Sequence, residues 1–239
     1  MIVFRRLQRP QAVTFDLDDT LYDNGPIIRR ATAILQDYFV AEHPAIAALV
    51  PSHWYSCRKA AIEQDPRLSS DMTRLRKAVL QRLAELAGYS VEQGEQLAET
   101  GYQVFYRARS DFRIDKNIYS LLSELSNHVP IVAITNGNVD LQQVGIDHLF
   151  SACYQANIHA PMKPSPVMFE RALAQLNLAA EEVLHVGDHL IKDVWAANKV
   201  GLQSAWYACN RPMNLRSESC RILPTVQLHT LNELLCLFE

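Results

Sequence analysis

Glycine is scarce in this 239-residue chain, which has 8 glycines, where the usual share of roughly 7% would supply about twice as many. Because glycine permits the backbone angles of many turns, its scarcity favours long helices over loops. Long hydrophobic runs are also lacking, since no stretch reaches the ~18 apolar residues of a membrane-spanning helix. The opening ten residues have no apolar core followed by a cleavage site, as a secretory signal would. We therefore expect a cytoplasmic protein with no membrane partner.

Paired cysteine motifs and blocks of like charge are lacking as well. The five cysteines are odd in number and scattered, and they have none of the Cys-x-x-Cys spacing of zinc or redox sites. We interpret them as free thiols in a reducing compartment: Cys57, Cys153, Cys209, Cys220 and Cys236. The net charge of -3 gives no electrostatic reason to expect a nucleic-acid partner. A small anionic ligand would need local basic groups instead.

Strand-like apolar runs alternate with segments of helical period, a pattern typical of a parallel sheet covered by helices. The predicted strands are 12–15, 131–134, 152–154, 183–186 and 203–207. The sequence therefore predicts an α/β fold with a Rossmann-like core, in which the carboxyl ends of the strands share one edge. A chain of this length can also bury a second, smaller module.

The first two predicted strands are separated by more than a hundred residues, far more than one crossover helix requires. Apolar residues recur at helical spacing over 27–39 and 72–86, Ser90–Gln93 fits a capping box that opens a third helix, and 52–64 could form a fourth. We therefore predict an inserted helical-bundle cap at 24–108, with the core at 1–23 and 109–239. The turn residues 23–26 mark its first hinge.

Two acids follow the first predicted strand, two positions apart. Asp16 is a candidate carboxylate nucleophile, and Asp18 is a candidate proton donor beside it. Where the strand ends, the backbone can direct both carboxylates into one crevice at the edge of the sheet.

Two candidate anion-binding groups come later in the chain. Thr135 and Asn136 follow the second predicted strand and could hold phosphate oxygens together with the backbone at Gly137, although these residues also favour an ordinary turn. Lys163 lies between prolines that restrict its loop, which suits anion binding, although most lysines are simply solvated.

Two further acids follow the strand predicted at 183–186. Asp188 comes two residues after its end and could reach a metal ion, whereas Asp193 lies about one helical turn later and could brace the site. Asp193 would also be stabilised simply by its place near a helix N-terminus.

These acids, Thr135 and Lys163 occur in an order that resembles the haloacid dehalogenase superfamily, and the cap resembles that of its subfamily with a helical cap after the first motif. The resemblance covers essentially the whole chain. Finer features resemble a bacterial group that dephosphorylates flavin mononucleotide (FMN) and the riboflavin precursor 5-amino-6-(5-phospho-D-ribitylamino)uracil: Phe15–Asn24, Thr73-Arg74-x-Arg76, Ala133–Asn138 and His185–Asp188. One departure is His189, where that group often has a second acid.

The resemblance implies a Mg²⁺-dependent phosphatase that acts on a small phosphorylated metabolite. Asp16 would attack phosphorus to form an aspartyl-phosphate, and Asp18 would act as general acid and then as general base. The implied Mg²⁺ ligands are the carboxylates of Asp16 and Asp188 and the main-chain carbonyl of Asp18. Thr135, Asn136 and Lys163 would hold the nonbridging phosphate oxygens. Asp193 would not bind the metal itself but would orient the residues that do.

Substrate choice is less firmly predicted. Tyr22, Asn24, Arg74 and Arg76 are candidate contacts to the group that leaves, although such residues also commonly lie on helix surfaces. Asp18 argues against dehalogenation, because a halide leaves without being protonated. The alternatives that stay open are a broad nucleotidase or sugar-phosphate phosphatase, a phosphomutase, and a noncatalytic binding or scaffold role.

Overall fold

The structure, a computed structural model, describes residues 1–218 and 220–238. Its sheet has seven strands in the order β1-β7-β6-β5-β2-β3-β4, all parallel except β1, which pairs antiparallel with β7. The strands are β1 (Ile2–Val3), β2 (Ala12–Phe15), β3 (Ile131–Thr135), β4 (Ala152–Gln155), β5 (Val183–Gly187), β6 (Gln203–Trp206) and β7 (Val226–Gln227). The α/β fold with a parallel sheet is therefore as predicted, and each of the five predicted strands agrees to within one residue.

Helices cover both faces of this sheet, and the apolar side chains of the central strands β2, β3 and β5 alternate between two hydrophobic cores. In β2, for example, Val13 and Phe15 join the larger core, whereas Ala12 joins the core on the opposite face. The α-helices are α1 (Asn24–Glu42), α2 (Pro44–Gln64), α3 (Met72–Leu86), α4 (Val91–Ser110), α5 (Lys116–His128), α6 (Leu141–Val144), α7 (Val167–Leu176) and α8 (Ala196–Lys199). The strands β5, β2 and β3 are neighbours in the sheet and run parallel. Their carboxyl ends therefore lie side by side at one edge of the sheet.

Helices α1 to α4 form a bundle with a hydrophobic core of its own. Its fully buried large side chains include Phe39, Ile46, Leu80, Leu83 and Phe105. The bundle ends at Ser110, two residues beyond the predicted 108. We propose that this bundle is the inserted cap and that the remaining residues are the core.

Helix α2 begins at Pro44 and runs through Pro51, whereas we predicted a helix only from residue 52. The prediction was short because proline has no N–H to donate to the carbonyl four residues earlier. In the structure, Gln36 Nε2 donates to that carbonyl, Ala47 O, at 3.3 Å. A side chain of α1 thus replaces the missing bond and lets the helix continue.

The predicted capping box opens α4. Ser90 Oγ accepts from Gln93 N at 3.3 Å, and Gln93 Oε1 accepts from Ser90 N at 3.0 Å. Within the described ranges, none of the helices combines the length and apolar character that a membrane crossing requires. The cysteines are free thiols, as predicted.

Candidate active site

A cavity of about 530 Å³ lies between the carboxyl edge of the sheet and the bundle. Asp16 follows β2, Thr135 ends β3, and Asp188 follows β5, so three neighbouring strands place these side chains at one end of the cavity. Side chains of the bundle close the other end: Ile28, Trp54, Arg58, Met72, Leu75, Arg76, Val79 and Phe105. The cavity thus has an acidic, polar end and a largely apolar end that carries two arginines.

Lys163 is buried between two carboxylates. Its Nζ donates to Asp16 Oδ1 at 2.6 Å, to Asp193 Oδ1 at 2.6 Å and to Ile134 O at 2.7 Å. An ammonium group has three N–H donors, so these contacts use all of them. In this arrangement Lys163 orients Asp16 from one side, while Thr20 Oγ1 donates to Asp16 Oδ2 at 3.3 Å.

Burial and charge act in opposite directions on these groups. Burial raises the pKa of Asp16 well above its ordinary value, although the positive charge of Lys163 opposes the shift. Burial also disfavours the charged form of Asp193, but Lys163 and His185 outweigh it and hold the pKa of Asp193 below its ordinary value. Burial would lower the pKa of Lys163, yet the two carboxylates raise it above its usual value. Lys163 and Asp193 thus form a charged pair beside the candidate nucleophile.

Asp188 is partly covered by an arginine from a later loop. Arg211 Nη1 donates to Asp188 Oδ2 at 2.7 Å, and its Nη2 donates to Asp188 O at 2.8 Å. Burial and then the negative charge of Asp193 raise the pKa of Asp188 to about 6, although Arg211 opposes this. The sequence reasoning missed Arg211, because no local pattern marks its contact with an acid 23 residues earlier.

A cluster of three carboxylates fits a divalent cation. Asp16, Asp188 and Asp193 each offer one oxygen, and these oxygens lie within 4.8 Å of one another. Oxygen ligands of this kind suit Mg²⁺, which usually keeps several waters and takes only one or two carboxylates. Asp193 is the least free of the three, since Oδ1 accepts from Lys163 and Oδ2 accepts from His189 N at 2.9 Å. The geometry therefore favours Asp16 and Asp188 as ligands and Asp193 as a brace.

Asp18 is held by two side chains that are largely buried. Arg109 Nη2 donates to its Oδ1 at 2.9 Å and to its Oδ2 at 3.0 Å, and Tyr22 Oη donates to Oδ1 at 2.8 Å. Arg109 was not among the predicted site residues. A signal for it exists in the sequence, since it shares the buried face of α4 with Tyr102 and Phe105 at spacings of seven and four residues.

The turn after β3 supports the site through main-chain contacts. Asn136 Oδ1 accepts from Lys163 N at 2.6 Å and its Nδ2 donates to Lys163 O at 3.0 Å, so its amide fixes the lysine loop. Asn136 also lines the cavity, and its contact with phosphate stays a prediction. Thr135 Oγ1 accepts from Gly137 N at 2.9 Å, which leaves its hydroxyl hydrogen free to donate. A Cβ on Gly137 would lie 2.5 Å from Asp18 Oδ2, so a larger residue here would displace the Asp18 carboxylate.

Asp193 lies on a π-helical turn, Leu190–Trp195, that packs directly on β5. A Cβ on Gly187 would lie 2.4 Å from the Cβ of Asp193, so only glycine leaves room for this acid. His189, the departure from the expected pattern, caps this turn: its Nδ1 accepts from Ile191 N at 3.1 Å and from Lys192 N at 3.3 Å.

The four candidate substrate contacts lie in different places. Arg76 lines the cavity and stacks on Phe105, with its guanidinium carbon 3.3 Å from the ring centroid, and Asn24 also lines the cavity. Tyr22 is buried against Asp18 rather than lining the cavity. Arg74 is outside it: its side chain is 62% exposed and lies 3.6 Å from Asp71. The structure therefore does not bring Arg74 to the cavity.

The family model of haloacid dehalogenase-like hydrolases matches residues 10–201. The chain belongs to this family. It is also 34% identical, over 98% of both chains, to the 5-amino-6-(5-phospho-D-ribitylamino)uracil phosphatase YigB of Escherichia coli (strain K12). The ribulose-1,5-bisphosphate 5-phosphatase of Halopiger xanaduensis is 26% identical over 82% of this chain and 84% of its own. The predicted family and the predicted enzyme class, a phosphatase of this family, are thus confirmed.

Solved structures of the family share the fold. The 2-haloacid dehalogenase of Pseudomonas syringae pv. Tomato DC3000 superposes with a TM-score of 0.87 at 30% identity, over 95% of this chain and 97% of its own. The HAD-hydrolase YfnB of Bacillus subtilis, solved with magnesium, superposes with a TM-score of 0.64 at 19% identity, over 97% and 99%. At that lower identity, the likeness to YfnB concerns the fold alone.

Proposed function

We propose that this protein is a Mg²⁺-dependent phosphomonoester hydrolase that forms an aspartyl-phosphate at Asp16. The observation that carries this proposal is the placement of Asp16 and Asp18 at the cavity end, with Lys163 hydrogen-bonded to the first and Arg109 to the second. Asp16 supplies the attacking oxygen. Lys163 and Thr20 fix its two oxygens in place before the substrate binds, which lowers the cost of reaching the reactive geometry.

The reaction has two steps. First, an oxygen of Asp16 bonds to phosphorus while the ester P–O bond breaks; the electron pair stays on the ester oxygen, and Asp18 supplies the proton that makes it an alcohol. Water then attacks the phosphorus of the aspartyl-phosphate, and the P–O bond to Asp16 breaks with its electron pair returning to the Asp16 carboxylate. Asp18 takes up the proton that the water loses, and inorganic phosphate leaves. Bound Mg²⁺ would favour the carboxylate form of Asp16 and stabilise charge on the transferring phosphoryl group.

We propose that the substrates are 5-amino-6-(5-phospho-D-ribitylamino)uracil, FMN or both, which would place the protein in riboflavin biosynthesis. The full-length similarity to YigB supports this choice. The apolar end of the cavity also suits a flat heterocycle, because Trp54 and Phe105 flank Arg76 there. Arg76 has no acidic partner among the described residues, so its guanidinium is free to donate to a heterocycle carbonyl.

The main alternative is a sugar-phosphate phosphatase, which the similarity to the ribulose-1,5-bisphosphate 5-phosphatase supports. Dehalogenation is disfavoured despite the likeness to a 2-haloacid dehalogenase. A halide leaves without being protonated, so that reaction would not use Asp18, which Arg109 holds in the cavity, as a proton donor.

The proposal is tested by phosphate release with Mg²⁺ from both ribityl phosphates, simple nucleotides, sugar phosphates and para-nitrophenyl phosphate. A preference for the ribityl phosphates that Asp16→Asn abolishes is expected. A flat profile that depends on Asp16 would support a general phosphatase instead. Release that survives in Asp16→Asn would contradict the aspartyl-phosphate.

Arg76→Met tests the heterocycle contact, with Arg74→Met as the matched control outside the cavity. We expect Arg76→Met to raise the KM for FMN roughly ten-fold, as for a lost hydrogen bond to a charged group, and to change that for para-nitrophenyl phosphate far less. Equal effects on both esters would contradict this contact.

A further inference from the structure

Arg109 is a buried arginine that joins the bundle to the catalytic end of the cavity. It is the second-to-last residue of α4, its side chain is 2% exposed, and its ion-pair partner is Asp18. Burial of a guanidinium is costly unless it is paired and hydrogen-bonded, and a solvated arginine at this helix end would avoid that cost. The position of Arg109 therefore needs an explanation beyond helix packing.

The contacts between Arg109 and Asp18 restrict the carboxylate. One nitrogen, Nη2, donates to both oxygens of Asp18, while Tyr22 donates to one of them. The Asp18 side chain is 22% exposed and faces the cavity, where Arg109 and Gly137 also lie. A carboxylate held at both oxygens by one guanidinium has little freedom to rotate.

Nη1, the second terminal nitrogen of Arg109, is buried and has no hydrogen-bond partner among the described residues. Such a group is rare in folded proteins and costly unless a ligand supplies an acceptor. Arg109 also lines the cavity, so an oxygen of a bound ester can complete its hydrogen bonding. One guanidinium would then contact both the proton donor and the group that receives the proton.

Resting on the proposed function, we propose that Arg109 is the positioning residue for Asp18. It holds the Asp18 carboxyl group next to the ester oxygen that leaves. Because Arg109 belongs to α4, the position of this carboxyl group then depends on the position of that helix. Helix α4 is itself fixed near Arg109, since Ser110 Oγ accepts from Asp140 N at 3.0 Å and Arg30 Nη2 donates to Ala108 O at 3.2 Å. The proton donor, Asp18, thus follows a strand of the sheet, whereas the residue that aligns it, Arg109, belongs to the bundle.

The test uses leaving groups of different basicity. The value of kcat/KM, which reports phosphoryl transfer to Asp16, is measured for FMN and for aryl phosphates whose phenols have rising pKa. Arg109→Met is expected to lower it roughly ten- to hundred-fold for FMN and the most basic phenols, which need protonation. The loss should shrink toward para-nitrophenyl phosphate, whose leaving group departs unprotonated. Asp18→Asn should show the same dependence.

The double variant decides whether Arg109 acts through Asp18. Adding Arg109→Met to Asp18→Asn should cost clearly less than Arg109→Met costs alone, because the group that Arg109 positions is already gone and only the contact of Nη1 with the ester is left to lose. Arg109→Lys keeps the charge but cannot donate from two nitrogens, so it carries the test if Arg109→Met does not fold, and it should restore only part of the rate. Arg107→Met, on the exposed face of the same helix, is the matched control.

Two results would overturn the proposal. One is a loss in the Arg109 variants that is equal for every leaving group; the other is a full additional loss on top of Asp18→Asn. The proposed function fails separately: wild-type protein would then show no preference for the ribityl phosphates, while the leaving-group dependence of the Arg109 variants would stand. Absence of Asp16-dependent release from every ester would overturn both.

Discussion

Replacing Gly187 by alanine tests how the centre of the site is packed. The added Cβ would lie 2.4 Å from both the Cβ and the Cγ of Asp193, whereas carbon atoms pack at about 3.5–4.0 Å. Gly187 cannot retreat easily, because it ends a central strand and its carbonyl accepts from Tyr207 N at 3.0 Å. Asp193 would therefore have to move by roughly 1 Å or more.

That movement would break the brace around Lys163. The bond from Lys163 Nζ to Asp193 is 2.6 Å long, and a displacement of that size would stretch it to roughly 3.5 Å, beyond hydrogen-bond range. Overpacking costs about 1–3 kcal/mol, and a lost hydrogen bond to a charged group costs about 1.5–3 kcal/mol. We expect Gly187→Ala to lower the free energy of unfolding by about 3 kcal/mol, which corresponds to a thermal midpoint roughly 6–12 °C lower.

The assay combines thermal unfolding, followed by circular dichroism, with phosphate release. Activity should fall roughly ten- to hundred-fold, as for other residues that orient groups at a metal site. Gly94→Ala is the matched control, because Gly94 lies inside α4 and its added Cβ would meet the nearest atom, Ala84 Cβ of α3, only at 3.4 Å. This substitution should stabilise the protein by roughly 0.5–1 kcal/mol, since alanine is favoured over glycine inside a helix. An unchanged midpoint together with full activity in Gly187→Ala would refute this account of the packing.

Three further outcomes are expected. Gln36→Ala should lower the free energy of unfolding by about 0.5–1.5 kcal/mol and by less in a Pro51→Ala background, where a main-chain N–H can reach Ala47 O; urea unfolding measures both, and equal costs would contradict the replacement bond. Ser90→Ala should cost about 1 kcal/mol in the same assay through loss of the capping box, and an unchanged unfolding curve would count against it. EDTA should abolish phosphate release and Mg²⁺ should restore it; activity that persists in EDTA would exclude the metal. The Asp188→Asn variant should need a Mg²⁺ concentration at least roughly ten-fold higher than the wild type for half-maximal activity.

The parts of the fold that could be predicted are those with a local signal. The buried strands and their polar ends were predictable because an apolar run and the acid that follows it are adjacent in the chain. The two-residue strands β1 and β7 were missed, since two residues have no period. Helix α2 was predicted too short because the proline signal is local, whereas its remedy, Gln36, lies on another helix.

The site shows the same limit. Its acids were predictable. The helical spacing of α4 marks Arg109 as buried, but the partners of the two arginines were not predictable, because Arg109 lies 91 residues after Asp18 and Arg211 lies 23 residues after Asp188. Asn136 was predicted as a phosphate contact from its place after a strand, and its pairing with the main chain of Lys163 depends on how a distant loop folds back. Residue type can predict that a group is polar, but only the fold determines its partner.

The fully used ammonium of Lys163 has a consequence for selectivity. Since all three of its donors are engaged by Asp16, Asp193 and Ile134 O, an incoming anion must displace one of these acceptors before Lys163 can hold it. A doubly charged phosphate group can compete with a buried carboxylate for the ammonium, whereas a neutral ester or a singly charged acid competes poorly. We therefore expect the charge of a ligand to affect its binding at Lys163, in addition to its fit under the bundle.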